Sequence, residues 1–187
     1  MSQRRTTANP PTPESPVAVV DTGVDAVHSP ALAGRVTPAT TAAGTDCIGH
    51  GTGFAGVAPE AGIIAVRATE SDGTATANSV AAGIDAAVAR RARVIDVPIG
   101  LARSSPALVA AVRDERRHGT VVIAPAYASG GTVTGPEGAP APAAYPAALP
   151  GVLAVAALGP GGVPDRKLAP RTPHPAPRPI RPRPAMP

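Results

Sequence analysis

The stretch that most limits the fold is Val17-Ala18-Val19-Val20, an unbroken apolar run that stops at Asp21-Thr22-Gly23. A run this short, with no polar member, reads as a strand buried on both faces, the setting of a parallel sheet. The pattern recurs. Ala61–Thr69 holds Ile63, Ile64 and Val66, and Val94–Ile99, Thr120–Pro125 and Val152–Leu158 read as further strands. Helical spacing separates them. Over Asn78–Arg91, Val80, Ile84 and Val88 share one face with Ala81 and Ala87 beside them. Asn78 stands as N-cap, and Arg90, Arg91 and Arg93 gather where the helix dipole favours cations. Ser105-Pro106 opens a second helix carrying Leu108, Val109 and Val112, and Gly119 ends it. This alternation predicts an α/β fold, a parallel sheet with right-handed crossovers and flanking helices. Ser29–Thr45 has no period and reads as loop, Ser71–Thr74 as a turn, and the Ala/Pro/Gly stretch before Val152 as a surface excursion.

With 187 residues the chain has the length of one domain, but its core must be assembled from Ala and Val. Two Tyr, one Phe and no Trp leave almost no aromatic packing. The net charge of +4 is set by the C-terminal end: six cations and one acid from Asp165 to Pro187 contribute +5, leaving −1 elsewhere. With a near-neutral body nothing argues for a nucleic-acid-binding fold, and the tail, without interleaved aromatics, is at most a weak, salt-sensitive polyanion binder. Cys47 is the sole cysteine, so no internal disulfide exists, and no metal site or cofactor is expected. Met1–Pro16 lacks the apolar h-region of a signal peptide and no apolar run reaches membrane-spanning length, so the chain as written is expected in the cytoplasm. The expected organisation is a disordered leader over 1–15, a domain over 16–159 and a disordered Pro/Arg-rich tail over 160–187. Pro/Arg/Ala-rich text beginning near Leu168 is also what GC-rich DNA yields in a wrong frame.

Asp21-Thr22-Gly23 and Asp46-Cys47-Ile48-Gly49-His50-Gly51-Thr52 resemble the Asp and His segments of subtilisin-like serine peptidases, whose triad runs Asp, His, Ser along the chain. Three further stretches resemble later segments of that family in the same order. These are Gly56-Val57-Ala58-Pro59, Val94-Ile95-Asp96-Val97-Pro98-Ile99-Gly100, and Tyr145-Pro146 through Val155. His28 through Val36 resembles the segment that follows the family's Asp. The resemblance covers roughly residues 17–158. It implies a subtilisin-like sheet, a peptide or protein substrate, Asp21 and His50 as catalytic residues, and Ile99 and Gly100 on the substrate-binding strand. Asp46-Cys47 ahead of His50 is nearest the mycosin type of type VII secretion, which implies a disulfide for that Cys. With no partner available, Cys47 is expected as a free buried thiol.

The departures from the family pattern carry as much weight. The family's helix after His-Gly-Thr is read as deleted here, because Gly53-Phe54-Ala55 runs at once into Gly56-Val57-Ala58-Pro59. Ala128 falls where the family's oxyanion Asn is expected, and Pro98 replaces a Ser in the substrate strand. No serine stands in Gly-Thr-Ser, and none follows Ser129. The expectation is therefore a serine endopeptidase by family that is inactive in this chain. The alternative is a non-catalytic remnant that binds a peptide or protein. Uncovered apolar faces are also expected, with poor solubility or a molten state as the consequence. His118, at a helix end, is expected to be solvated.

Overall fold

The computed structural model describes residues 16–57, 60–127 and 144–156. Nine elements form the scaffold: β1 (Val17–Asp21), β2 (Val36–Pro38), α1 (His50–Ala55), β3 (Ile63–Arg67), α2 (Ala77–Ala89), β4 (Val94–Asp96), α3 (Pro106–Arg117), β5 (Val121–Pro125) and β6 (Leu153–Val155). All six strands join one parallel sheet in the order β2-β3-β1-β4-β5-β6. The chain leaves β1 toward β2 on one side and leaves β4 toward β5 on the other. The connections thus diverge between β1 and β4, and a crevice at the carboxyl ends of those two strands follows from the topology.

Alternate residues of the strands supply two different cores. Ala18, Val20, Ile95 and Val97 point to the face covered by α2 and α3, where they meet Val80, Ile84, Leu108 and Val112. Val19, Ile63 and Ala65 point to the other face, against Val24, Leu32 and Ala55 of α1 and the preceding loop. Both clusters are aliphatic and rich in Ala and Val. Close approach substitutes for bulk: a Cβ on Gly83 of α2 would lie 2.6 Å from the Val20 methyl on β1.

The helix ends follow local chemistry. Ser105 Oγ accepts from the Leu108 N–H at 3.2 Å, so Ser105-Pro106 does open α3. For α2 the cap is Thr76 rather than Asn78: Thr76 and Ser79 exchange side-chain and backbone hydrogen bonds, a reciprocal capping box.

Three readings need correction. Ser29–Thr45 is not all loop. It holds two 3-10 turns, Pro30–Leu32 and Thr41–Gly44, and the edge strand β2. Three residues ending in Pro38 show no periodicity in sequence, and an edge strand tolerates Pro because one side needs no ladder donor. Second, β4 stops at Asp96 instead of reaching Ile99, since Pro98 has no N–H to extend the ladder. Third, the helix read as deleted is present in short form: α1 begins at His50 and lasts six residues. The expected leader over 1–15, the tail over 160–187 and Ala128 lie outside the described residues.

Candidate active site

Asp21 closes β1 at the crevice between the diverging connections and is 1 % exposed. Its Oδ1 accepts from the Thr22 N–H at 2.8 Å, and its Oδ2 lies 2.7 Å from His50 Nδ1. Burial pushes the Asp21 carboxyl above the usual carboxylate range, against the opposing pull of the His50 imidazole. An ionised carboxylate can only accept, so the pair places the proton on Nδ1 and leaves Nε2 as the free nitrogen. Among the described residues no hydrogen bond reaches Nε2, and the His50 side chain keeps 43 % of its surface open.

Two glycines set the distance between these side chains. Gly51 follows His50 and packs on the strand end, where a Cβ would collide with the Gly23 carbonyl oxygen and approach the Asp21 Cβ to 3.1 Å. Gly23 holds a φ of 106°, and a Cβ there would strike the Thr45 carbonyl oxygen. Asp-Thr-Gly and His-Gly-Thr are therefore two halves of one contact. Gly51 lets α1 come close enough to the end of β1 for the 2.7 Å bond, and Gly23 makes room for the Ala43–Thr45 backbone of the loop that leads into the His segment.

The residue that ties these halves together is Asp46, whose role sequence reasoning missed. Its Oδ1 accepts from Thr22 Oγ1 at 2.8 Å and from the Ile48 and Gly49 N–H groups at 3.1 and 2.8 Å. Its Oδ2 accepts from the Thr52 N–H at 2.8 Å and Thr52 Oγ1 at 2.7 Å. Thr22 Oγ1 in turn accepts from the Gly51 N–H at 3.0 Å, and Thr52 Oγ1 from the Asp25 N–H at 3.0 Å. One carboxylate thus caps the first turn of α1 and holds it to the end of β1. Desolvation works against its charge, but these donors win and bring the Asp46 carboxyl down to about 2. The available signal was an acid four residues before His50, ahead of a helix start.

Phe54 sits one turn beyond His50 in α1, with ring centroids 4.9 Å apart and planes at 48°. Cys47 is exposed, so the expectation of a buried thiol fails: it lies on the solvent side of a loop whose polar groups turn inward to Asp46. Pro98 shares a cavity of about 590 Å³ with His50, whereas Ile99 packs toward the α2 and α3 side of the sheet. Ile99 and Gly100 are half-buried, and among the described residues their backbone groups carry no hydrogen bond. The next residue does: Leu101 and Tyr145 exchange backbone bonds of 2.9 and 2.8 Å. No group of three or more metal-ligating side chains occurs among the described residues.

An aspartate at a strand end, bonded to the Nδ1 of a histidine that opens a helix, fixes the imidazole and leaves its Nε2 facing the crevice. Residues 14–171 match the Subtilase family. The chain belongs to that family. Among curated relatives, it is 35% identical over 159 residues to thermitase of Thermoactinomyces vulgaris, covering 75% of this chain and 53% of that protein. It is 31% identical over 157 residues to subtilisin DY of Bacillus licheniformis, covering 76% of this chain and 56% of the relative. The subtilase thus spans about half the length of these two relatives. A solved mutant of the protease domain of PatA superposes with a TM-score of 0.66 at 27% identity, covering 82% of this chain and 61% of that one. The parallel sheet and its flanking helices are those of subtilisin-like protease domains. No helix among the described residues is long and apolar enough to cross a membrane.

Proposed function

We propose that this chain carries the acid–base half of a subtilisin-like serine endopeptidase site, with Asp21 and His50 as its catalytic residues. The observation behind this reading is the 2.7 Å contact between His50 Nδ1 and Asp21 Oδ2 at the carboxyl ends of β1 and β4. Asp21 orients the imidazole and stabilises its protonated form, and His50 Nε2 takes the proton of a hydroxyl attacking a peptide carbonyl. The backbone of Ile99 and Gly100, without a hydrogen bond among the described residues, is suited to hold an extended peptide substrate by strand addition, with Pro98 removing one donor from that edge. The domain is proposed to run over 16–159. Asp46-Cys47 favours a mycosin-like branch, although the support role of Asp46 explains that acid without it.

These 187 residues hold no serine in the setting where the family places its nucleophile. The serines are Ser2, Ser15, Ser29, Ser71, Ser79, Ser104, Ser105 and Ser129, none in a Gly-Thr-Ser setting. Loss of the nucleophile costs about a millionfold in rate, so the chain alone is proposed to be catalytically silent. The second reading, a non-catalytic module that binds peptide or protein, is favoured by the open cavity beside His50. Incubation of the purified chain with casein and with a fluorogenic peptide tests the first reading. No hydrolysis above buffer is expected, and turnover that vanishes in His50→Ala and with a serine-directed inhibitor would contradict it.

A further inference from the structure

The cavity of about 590 Å³ lies on the sheet face opposite α2 and α3, in the size range of small-ligand sites. Its floor is apolar, built from inward residues such as Val19 on β1 and Ile123 on β5, with Val155 on β6 at one side. His50 and Phe54 of α1 form a wall. Asp96, on β4 in register with Val19 of β1, sets a carboxylate into this floor. The side chain is half-buried, and no hydrogen bond from any described residue reaches it. Burial pushes its carboxyl up to about 6, with Asp21 adding to the rise and His50 opposing it. A partly desolvated carboxylate with no donor from the described residues keeps its acceptor capacity for a ligand that brings donors.

We propose that this cavity binds a compact apolar ligand ending in a planar cation, an aryl amidinium or guanidinium, with the cation on Asp96 and the ring on the floor between Val19 and Ile123. A planar fork matches both carboxylate oxygens at once, which a point-charge ammonium does not. The charged groups that act on Asp96 are Asp21 on β1 and His50 on α1. Asp21 already holds donors from Thr22 and His50, so Asp96 is the carboxylate with acceptor capacity to spare. The site does not depend on Asp21 and His50 being catalytic.

The test is a fluorescence titration of the full chain with p-aminobenzamidine at pH 8, well above the Asp96 value of about 6. Its neutral isostere 4-aminobenzamide serves as control. Saturable binding of the amidine is expected, weakened roughly tenfold to a hundredfold by Asp96→Asn, with no such loss for the amide. Amide chemical-shift changes on titration should centre on Val19, Asp96 and Ile123, a readout that needs no variant. Equal affinity in Asp96→Asn, shifts centred elsewhere, or no saturable binding would each overturn the proposal. Hydrolysis plays no part in these readouts, so they stand or fall separately from the peptidase reading.

Discussion

At the scale of single residues, the site depends on side chains that never touch a reacting group. Asp46 accepts five hydrogen bonds, four from its own His segment and one from Thr22 of the Asp segment, and so holds the two together. Bonds to a charged acceptor contribute about 1.5–3 kcal/mol where they are kept from water, and Asp46 is only partly so. Asp46→Ala should therefore lower the Tm by about 4–8 °C and loosen the His50–Asp21 contact, checked by thermal unfolding and by the His50 ring resonances. Gly51→Ala should do more harm than a helix-favouring change normally would. Its methyl meets the Gly23 carbonyl and Asp21 Cβ, so α1 must retreat from β1. A Tm equal to or above that of the parent would contradict this packing. Asp21 and His50 were legible in the sequence because their neighbours form recognisable segments. Asp46 was visible as a letter but not as a hub, since Thr22, the donor that joins it to the Asp segment, lies 24 residues away and reaches it only after the chain has folded.

Between elements, the clearest liability lies where α2 and α3 meet. Glu115 on α3 is 1 % exposed, and its Oε2 has no hydrogen-bond partner. Burial, reinforced by Asp85 on α2, pushes its carboxyl up to about 7, with His118 opposing and Asp114 adding. An unsatisfied buried acceptor costs about 1–3 kcal/mol, so Glu115→Met, similar in volume, should raise the Tm by about 3–8 °C at pH 8. The gain should shrink toward pH 5, where the parent's carboxyl is protonated; a gain independent of pH would mean that packing rather than charge is responsible. The helices themselves were readable from spacing, because Val80, Ile84, Leu108 and Val112 all face the sheet. Short elements were not. A three-residue β2 and a six-residue α1 hold less than two periods of their patterns, too few to stand out in the sequence.

For the whole molecule, these shifts combine into an unusual pH profile. Asp46, lowered to about 2, contributes stability that is complete above the ordinary value near 4 and lost as pH falls toward 2. Asp96 and Glu115, raised to about 6 and about 7, act oppositely: the folded state holds their protons more tightly, so stability falls as pH rises through those values. Urea midpoints measured from pH 3 to 8 should therefore peak at about pH 4–5, and a maximum at pH 7–8 would contradict the combined assignment. The same open sheet face that holds Asp96 explains why sequence reasoning anticipated uncovered apolar surface: Val155 and Leu153 of β6 are 50% and 54% exposed. What the sequence could not show was where that surface lies, beside His50 and not at a distant edge.

The most direct measurement is the ring-nitrogen NMR spectrum of His50, read with and without Asp21. A hydrogen-bonded Nδ1–H tautomer is predicted in the parent, because an ionised carboxylate 2.7 Å away can only accept. Asp21→Asn should redistribute the proton toward Nε2, removing the free base on which the relay depends. If His50 in the parent already carries its proton on Nε2, or if Asp21→Asn leaves the spectrum unchanged, the two residues are neighbours and not a relay.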